Sequence, residues 1–153
     1  MGIGLVLYHK DDQWVCEIID IEAAFLEGDI VVPMFIEWPE GMVELGFMTL
    51  EEFQETCAEL QKGMYGNVDA ALRFYKTYCN HLVKQVGMTR CRADPCVFVM
   101  KEEGKTVMVS FIHVDDSMLC GKQEAINLFK EKVKERFNIK ELGQLKKHLG
   151  IWF

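Results

Sequence analysis

The chain has 153 residues, half of them apolar, and a formal net charge of −7. This length fits one domain with a real core, or one piece of a larger protein, and the apolar content excludes a disordered chain. No apolar run approaches the roughly 20 residues of a membrane span, and the short apolar stretch after Met1 lacks a basic flank, so we expect neither a membrane segment nor a signal peptide.

Charge and cysteine content restrict the partners and the compartment. Residues 1–60 contain one base, Lys10, and fourteen acids, whereas residues 61–153 contain sixteen bases and ten acids. This asymmetry indicates different partners for the two halves, or simply a solvated acidic face. The six cysteines include no Cys-x-x-Cys pair, which argues against a zinc ribbon or a disulfide framework. We expect buried free thiols in a reducing, intracellular compartment.

The first forty residues predict two strands around a short helix. Residues 14–19 form the first strand, which ends at Asp20. Residues 21–27 are prone to form a helix that Gly28 closes, and residues 31–37 form the second strand. A carboxylate at the end of a buried strand is either a helix N-cap or part of a functional site.

The middle of the chain predicts two helices. Thr49, followed by Glu52, is typical of a capped helix over residues 49–61. A longer helix is predicted over residues 67–86, with Gly87 as its C-terminal stop. The apolar stripe of this second helix contains Val68, Ala71, Leu72, Tyr75, Tyr78 and Leu82.

The last part of the chain predicts strands over residues 96–100, 106–113 and 117–120, then a helix over 124–137 and closing strands on either side of Gly143. On the helix, Ile126, Phe129, Val133 and Phe137 are expected to point inward, with Lys130, Lys132, Lys134 and Arg136 mostly outward. This order predicts an α+β fold, in which helices pack on one face of an antiparallel sheet.

Two adjacent carboxylates, Asp115 and Asp116, interrupt the apolar run of residues 107–121. The simplest interpretation is a hairpin turn, since Asp and Ser favour turns. If the strand that ends at Asp20 is a neighbour, however, three carboxylates meet at one edge of the sheet. Such a set suits two Mg²⁺ or Mn²⁺ ions in a phosphoryl displacement.

Six motifs follow one another along the chain. They are Asp20-Ile-Glu-Ala-Ala-Phe-Leu-Glu-Gly28, Glu37-Trp-Pro-Glu-Gly41, Met64-Tyr-Gly66 with Arg73-Phe-Tyr75, Ala93-Asp-Pro-Cys-Val-Phe98, His113-Val-Asp-Asp116, and Glu141-Leu-Gly143 with Leu149-Gly-Ile151. In this order they resemble the palm region of copia-type retrotransposon reverse transcriptases, over residues 14–153.

The resemblance implies an RNA-directed DNA polymerase from the polyprotein of a retroelement, in which a primer 3′-hydroxyl attacks the α-phosphate of a dNTP. Carried over by position, Asp20, Asp115 and Asp116 are the catalytic carboxylates, which hold two Mg²⁺ or Mn²⁺ ions. Ile21 offers a backbone carbonyl to a metal. Phe25 is the aromatic gate that excludes a ribose 2′-hydroxyl.

The implied partners are an RNA or DNA template-primer, a dNTP and the rest of the polyprotein, and no membrane. The implied location is the cytoplasm, a virus-like particle or the nucleus. Residues 1–153 are expected to form one palm domain with partial fingers, without the upstream fingers, the thumb or the RNase H domain.

Two departures from the family pattern, together with the missing fingers, leave a second hypothesis open. Asp69 begins a segment that reads Gln-Ala-Pro-Arg in the family, and His113 stands where a Tyr normally contacts substrate beside the carboxylates. A carboxylate near a triphosphate weakens binding through like-charge repulsion. The chain is therefore either a polymerase palm or a degenerate, non-catalytic remnant that acts as a binding module. A nucleotidyl cyclase fits the same order of elements, but this chain lacks the glycine-acidic turn that is typical of that group.

Overall fold

A computed structural model of the chain describes residues 14–28, 30, 32–64, 66 and 69–144, and the backbone alone of 147–148 and 151–152. Predictions that concern the stretch after Met1, Val31, Asn67, Val68 and Leu149 lie outside the described residues. Among the described residues, no helix combines the length and the apolar character needed to cross a membrane.

The described elements are ten strands, three α-helices and two short helical segments of other types. The strands are β1 (Val15–Ile21), β2 (Phe35–Ile36), β3 (Ala58–Glu59), β4 (Thr89–Arg90), β5 (Val97–Glu102), β6 (Lys105–His113), β7 (Asp116–Gly121), β8 (Ile139–Gln144), β9 (Lys147–His148) and β10 (Ile151–Trp152). The helices are α1 (Leu50–Glu55), α2 (Ala70–His81) and α3 (Gln123–Lys134), with a 3₁₀ helix at Ala24–Glu27 and a π-helical turn at Leu82–Val86.

Six strands form one antiparallel sheet in the order β4-β5-β6-β7-β1-β8. Strands β2 and β3 form a separate two-stranded sheet, as do β9 and β10. The predicted α+β fold with an antiparallel sheet is therefore confirmed. The chain reaches β7 through the β5-β6 and β6-β7 hairpins, and β1 pairs on the far side of β7.

The two faces of the sheet differ in what they contact. One face carries Ile19 and Leu119, which belong to the buried core together with aromatic and aliphatic residues of α2 and α3. On this face Tyr78 of α2 contacts Ser117, and Lys130 of α3 contacts Glu17. Because side chains alternate along a strand, Asp20 and Asp116 lie on the opposite face, which we call the carboxylate face.

The first helix is capped as predicted but is shorter than predicted. The Thr49 side chain accepts a hydrogen bond of 3.2 Å from the Glu52 N–H, and the Glu52 carboxylate accepts one of 2.8 Å from the Thr49 N–H. Helix α1 ends at Glu55 because the chain then turns into β3, which pairs with β2. The second predicted strand is likewise reduced to Phe35–Ile36.

The long second helix is divided, and its buried face is partly different from the predicted one. Helix α2 gives way to the π-helical turn, which Gly87 closes at a φ of 83°, as predicted for the stop. Leu72 was expected inward but is 52% exposed, whereas Phe74, which the stripe omitted, is fully buried. The buried face is determined by ring packing, because Phe74 and Tyr78 each form a T-shaped ring pair with Phe137.

Helix α3 buries the predicted apolar residues and one residue that was not predicted. Ile126, Phe129, Val133 and Phe137 are all buried. The expectation that Lys130 points outward is wrong, since it is only 8% exposed. Its ammonium group is held by the carboxylates of Glu17 on β1 and Glu141 on β8. Gly143, expected between two strands, lies within β8.

Candidate metal centre

Asp20 and Asp116 lie opposite each other on neighbouring strands. β1 continues through Asp20 to Ile21, beyond the predicted end of the strand at residue 19. Asp20 is the Cα partner of Asp116 in β7. The two side chains therefore point to the same face of the sheet. No described side chain caps the 3₁₀ helix that follows, whose N-cap is Ala23, so Asp20 is not an N-cap.

The ladder explains why these two carboxylates come close. The Ile21 N–H donates a hydrogen bond of 2.9 Å to the Asp115 carbonyl, so this residue pair is of the hydrogen-bonded type. Pair types alternate along an antiparallel ladder, so the adjacent pair, Asp20 and Asp116, is of the non-hydrogen-bonded type. At such positions facing side chains approach most closely, with Cα atoms about 4.5 Å apart.

Asp115 joins the pair from the tight turn between β6 and β7. The turn residues are Val114 and Asp115, and Val114 has a φ of 56°. A positive φ at the first position is typical of two-residue hairpin turns, but it is strained for a β-branched residue. One oxygen from each of Asp20, Asp115 and Asp116 lies within 4.8 Å of the others, and all three residues are half-buried.

The electrostatics of this group favour a cation. Burial raises the pKa of Asp20, and the nearby negative charges of Asp115 and Asp116 raise it further, while Lys140 opposes them. Three clustered carboxylates without a cation repel one another. Carboxylate oxygens are the ligands that Mg²⁺ and Mn²⁺ prefer, so the donor set fits the predicted ions.

The other predicted site residues, His113, Ile21 and Phe25, differ in their positions relative to the three carboxylates. His113 is exposed and is the Cα partner of Asp116 on β6, so it extends the same row across the sheet. Ile21 is buried next to Asp20. Phe25 is half-buried in the 3₁₀ helix that follows β1 and is not part of the row. A Cβ on Gly63 would overlap the Phe25 carbonyl oxygen, so this helix packs closely on the segment before α2.

Sequence reasoning missed two residues that adjoin the carboxylates. Lys140 on β8 is the Cα partner of Asp20, but its position depends on a register shift between Ile18 and Ile19 that no local pattern reveals. Ser117, directly after Asp116, shares a buried hydrogen bond of 3.1 Å with the Tyr78 hydroxyl. The apolar stripe predicts that Tyr78 packs in the core, but it does not indicate that Ser117 is the hydrogen-bond partner of Tyr78.

Comparisons with known proteins agree with the motif order. The family model described as reverse transcriptase (RNA-dependent DNA polymerase) matches residues 4–153. The chain is 26% identical over 136 residues to the retrovirus-related Pol polyprotein from transposon TNT 1-94 of Nicotiana tabacum, covering 88% of this chain and 10% of that protein. It is 24% identical over 142 residues to the corresponding polyprotein from transposon RE1 of Arabidopsis thaliana, covering 92% and 9%.

A third relative is shorter. The chain is 24% identical over 134 residues to the putative transposon Ty5-1 protein of Saccharomyces cerevisiae, covering 87% of this chain and 41% of that protein. The chain thus spans about a tenth of the two plant polyproteins and under half of the yeast protein. No solved structure matches the chain.

Proposed function

Because the chain belongs to the reverse transcriptase (RNA-dependent DNA polymerase) family, we propose that it is the catalytic palm domain of a copia-like polymerase. The observation that carries the proposal is the convergence of Asp20, Asp115 and Asp116, whose oxygens lie within 4.8 Å of one another. These are the three residues that the family resemblance assigns to catalysis. The domain works within a longer polyprotein, in the cytoplasm, a virus-like particle or the nucleus.

Each site residue has a distinct part in the proposed reaction. Asp20 and Asp116, fixed opposite each other in the ladder, would hold two Mg²⁺ or Mn²⁺ ions together with Asp115, and the Ile21 carbonyl would be a further ligand. Bound ions would supply the charge stabilisation for attack of a primer 3′-hydroxyl on the α-phosphate of a dNTP and for departure of pyrophosphate.

Two further residues act on the substrates in this proposal. Phe25 occupies the space beside the sugar of the incoming nucleotide and so excludes a ribose 2′-hydroxyl. His113, exposed and in the same row as the carboxylates, contacts the template-primer where the family has a Tyr. A ring nitrogen in place of a phenol changes the hydrogen-bonding pattern of this contact.

The test is primer extension by the purified chain on an RNA template and on a DNA template, with Mg²⁺ or Mn²⁺. From this chain alone we expect only weak incorporation of dNTP, which Asp20→Ala abolishes and which removal of an exposed carboxylate on α3 in Glu131→Gln leaves unchanged. Metal affinity is measured in parallel by calorimetry. Absence of Mn²⁺ binding, or a Mn²⁺ affinity that Asp115→Asn leaves unchanged, would contradict the polymerase proposal, whereas Mn²⁺ binding without incorporation favours the second candidate below.

The second candidate is a non-catalytic palm fold that acts as a binding module. One contact favours it: the Asp69 carboxylate holds the guanidinium of Arg73 at 2.6 Å, and the Arg73 side chain is only 15% exposed. In the family this segment carries a neutral amide near the nucleotide. If Asp69→Gln raises incorporation, the carboxylate suppresses an otherwise competent site. If neither chain incorporates dNTP while both bind Mn²⁺, the non-catalytic candidate is favoured.

A further inference from the structure

Two cysteines face each other across the same pair of strands that carries the carboxylates. Cys16 on β1 is the Cα partner of Cys120 on β7. The alternation that starts from the hydrogen-bonded pair of Ile21 and Asp115 places Cys16 and Cys120 at a non-hydrogen-bonded position. Cα atoms at such a position are about 4.5 Å apart, which lies within the range of about 4.4–6.8 Å that disulfides span.

The two thiols lie on facing residues but are not bonded. Both are free cysteines, with Cys16 partly buried and Cys120 buried. The interaction between the two thiols lowers the pKa of Cys16 and raises the pKa of Cys120, which burial raises further. Cys16 is therefore both the more accessible thiol and the one that ionises first, so it reacts first with an oxidant.

We propose that Cys16 and Cys120 are a redox modification site, at which a peroxide forms a reversible disulfide that links β1 to β7. The Cys16 thiolate attacks one peroxide oxygen, the O–O bond breaks and hydroxide leaves, which gives a sulfenic acid. The Cys120 thiol then attacks the Cys16 sulfur, the S–O bond breaks and water leaves. In total, two thiols are oxidised and one hydrogen peroxide is reduced to two waters.

The site does not depend on the proposed polymerase activity, since it needs only the register of two strands. It lies on the same face as the candidate metal centre, however, because both cysteines are on the carboxylate face, four residues from Asp20 and Asp116 respectively. The disulfide would fix the spacing between β1 and β7, which contain Asp20 and Asp116. It would also close a loop of about 100 residues and so restrict the unfolded chain.

Two other thiol pairings compete with this one. Cys79 and Cys96 lie close enough for Cys96 to raise the pKa of Cys79 by charge, after the larger effect of burial. Cys79 lies in α2, so these two cysteines do not face each other across strands of the described sheet. Cys57 is exposed and can link two chains. A Cys57→Ser background removes that intermolecular reaction.

The experiment treats the full chain in the Cys57→Ser background with hydrogen peroxide, blocks the remaining thiols, and maps peptides without reduction. We expect a linked pair of peptides containing Cys16 and Cys120, a loss of two hydrogens in the intact mass, and reversal by dithiothreitol. The oxidised chain should also melt about 5 °C or more above the reduced chain. Cys16→Ser and Cys120→Ser should abolish the link, and Cys96→Ser should not.

The peptide map of the Cys57→Ser chain decides the matter even if a further serine variant fails to fold. Stable oxygen adducts on Cys16, with Cys120 still open to alkylation, would overturn the proposal. So would a link between Cys79 and Cys96, or thiols that stay reduced at a peroxide excess that oxidises the same chain after unfolding in urea.

Discussion

Asp20 on β1 and Asp116 on β7 form a directly opposed, non-hydrogen-bonded pair, with Asp115 beside them in the turn. Like charges that face each other across two strands destabilise the sheet. Burial and the neighbouring charges also raise the pKa of Asp20. The three carboxylates therefore reduce the stability of the metal-free chain, and a bound divalent cation should reverse the effect.

Asp116→Asn should change stability in opposite directions with and without metal. In EDTA the variant should be more stable than the parent chain by about 1 kcal/mol, because one repulsion across roughly 5 Å is removed. With Mn²⁺ added, the parent chain should gain thermal stability and the variant should gain little, because it has lost a ligand. Melting curves in both buffers measure the two effects.

Glu131→Gln removes one exposed carboxylate from α3 and serves as the charge-matched control. It should leave the Mn²⁺-dependent increase in the melting temperature unchanged. If Asp116→Asn destabilises the chain in EDTA, or if the variant responds to Mn²⁺ as the parent does, the three carboxylates do not act as one metal centre.

Val114→Gly should stabilise the chain but weaken the binding of Mn²⁺ by the three carboxylates. Val114 has a φ of 56°, which a β-branched residue adopts at a cost of about 1–3 kcal/mol. Glycine removes this strain, although it also gives the unfolded chain more freedom, so we expect a net gain of roughly 1 kcal/mol. The same freedom loosens the turn that positions Asp115, and Mn²⁺ affinity measured by calorimetry should fall.

The other hairpin of β6 provides a matched control for this turn. Glu103 also has a positive φ, of 48°, at the opposite end of β6 from Val114. Glu103→Gly should therefore relieve strain without any effect on Mn²⁺ affinity. A drop in affinity in both variants would mean that general flexibility, not the position of Asp115, is responsible.

The elements that local patterns determine were predicted well. Strands β5, β6 and β7 follow apolar runs separated by short turns, and the structure has them within a few residues of the predicted bounds. The cap at Thr49 and the stop at Gly87 rest on contacts within one turn of the chain. The convergence of Asp20 with Asp116 was conditional on β1 being a neighbour, which the sheet order satisfies.

The failures all concern contacts between residues far apart in the chain. Lys130 looked like a solvent-facing helix residue, but its partners Glu17 and Glu141 lie on two strands that only the folded sheet brings together. Phe74 was missed because the buried face of α2 is determined by Phe137, which follows α3. Neither a helical period nor a residue type contains that information.

Tyr78→Phe should destabilise the chain because it removes one half of a buried polar pair. The Tyr78 hydroxyl and the Ser117 hydroxyl are both fully buried and lie 3.1 Å apart. Loss of the phenol leaves the serine hydroxyl without this partner, at a cost of about 1–3 kcal/mol. Urea unfolding at pH 7 measures the change in the free energy of unfolding.

A double variant separates the hydrogen bond from general packing. Tyr78→Phe with Ser117→Ala removes both polar groups and should recover part of the lost stability, so that the two single changes are not additive. Tyr75→Phe is the control, since its hydroxyl bonds to the Pro95 carbonyl in an exposed position. Additive losses in the double variant would contradict a coupled Tyr78–Ser117 pair.

The ion cluster on the helix-contacting face of the sheet should make stability fall in acid. Hydrogen bonds from Lys130, 2.8 Å away, and from Lys134, 2.6 Å away, lower the pKa of Glu141 from its ordinary value of 4.5 to about 2. A carboxylate with a depressed pKa stabilises the fold above its unfolded pKa, and the stabilisation is lost as the pH falls through the folded value. The relevant window is therefore about pH 4.5 down to about pH 2.

Glu141→Gln should flatten the pH dependence of stability in that window. The parent chain should lose on the order of 1 kcal/mol between pH 5 and pH 3 through this residue, because the Glu141 side chain is 42% exposed and solvent screens the pairs. Urea unfolding at a series of pH values gives the slope, and Glu131→Gln should keep the parent slope. Equal slopes in the parent and in Glu141→Gln would mean that the lysines hold Glu141 too weakly to couple its ionisation to folding.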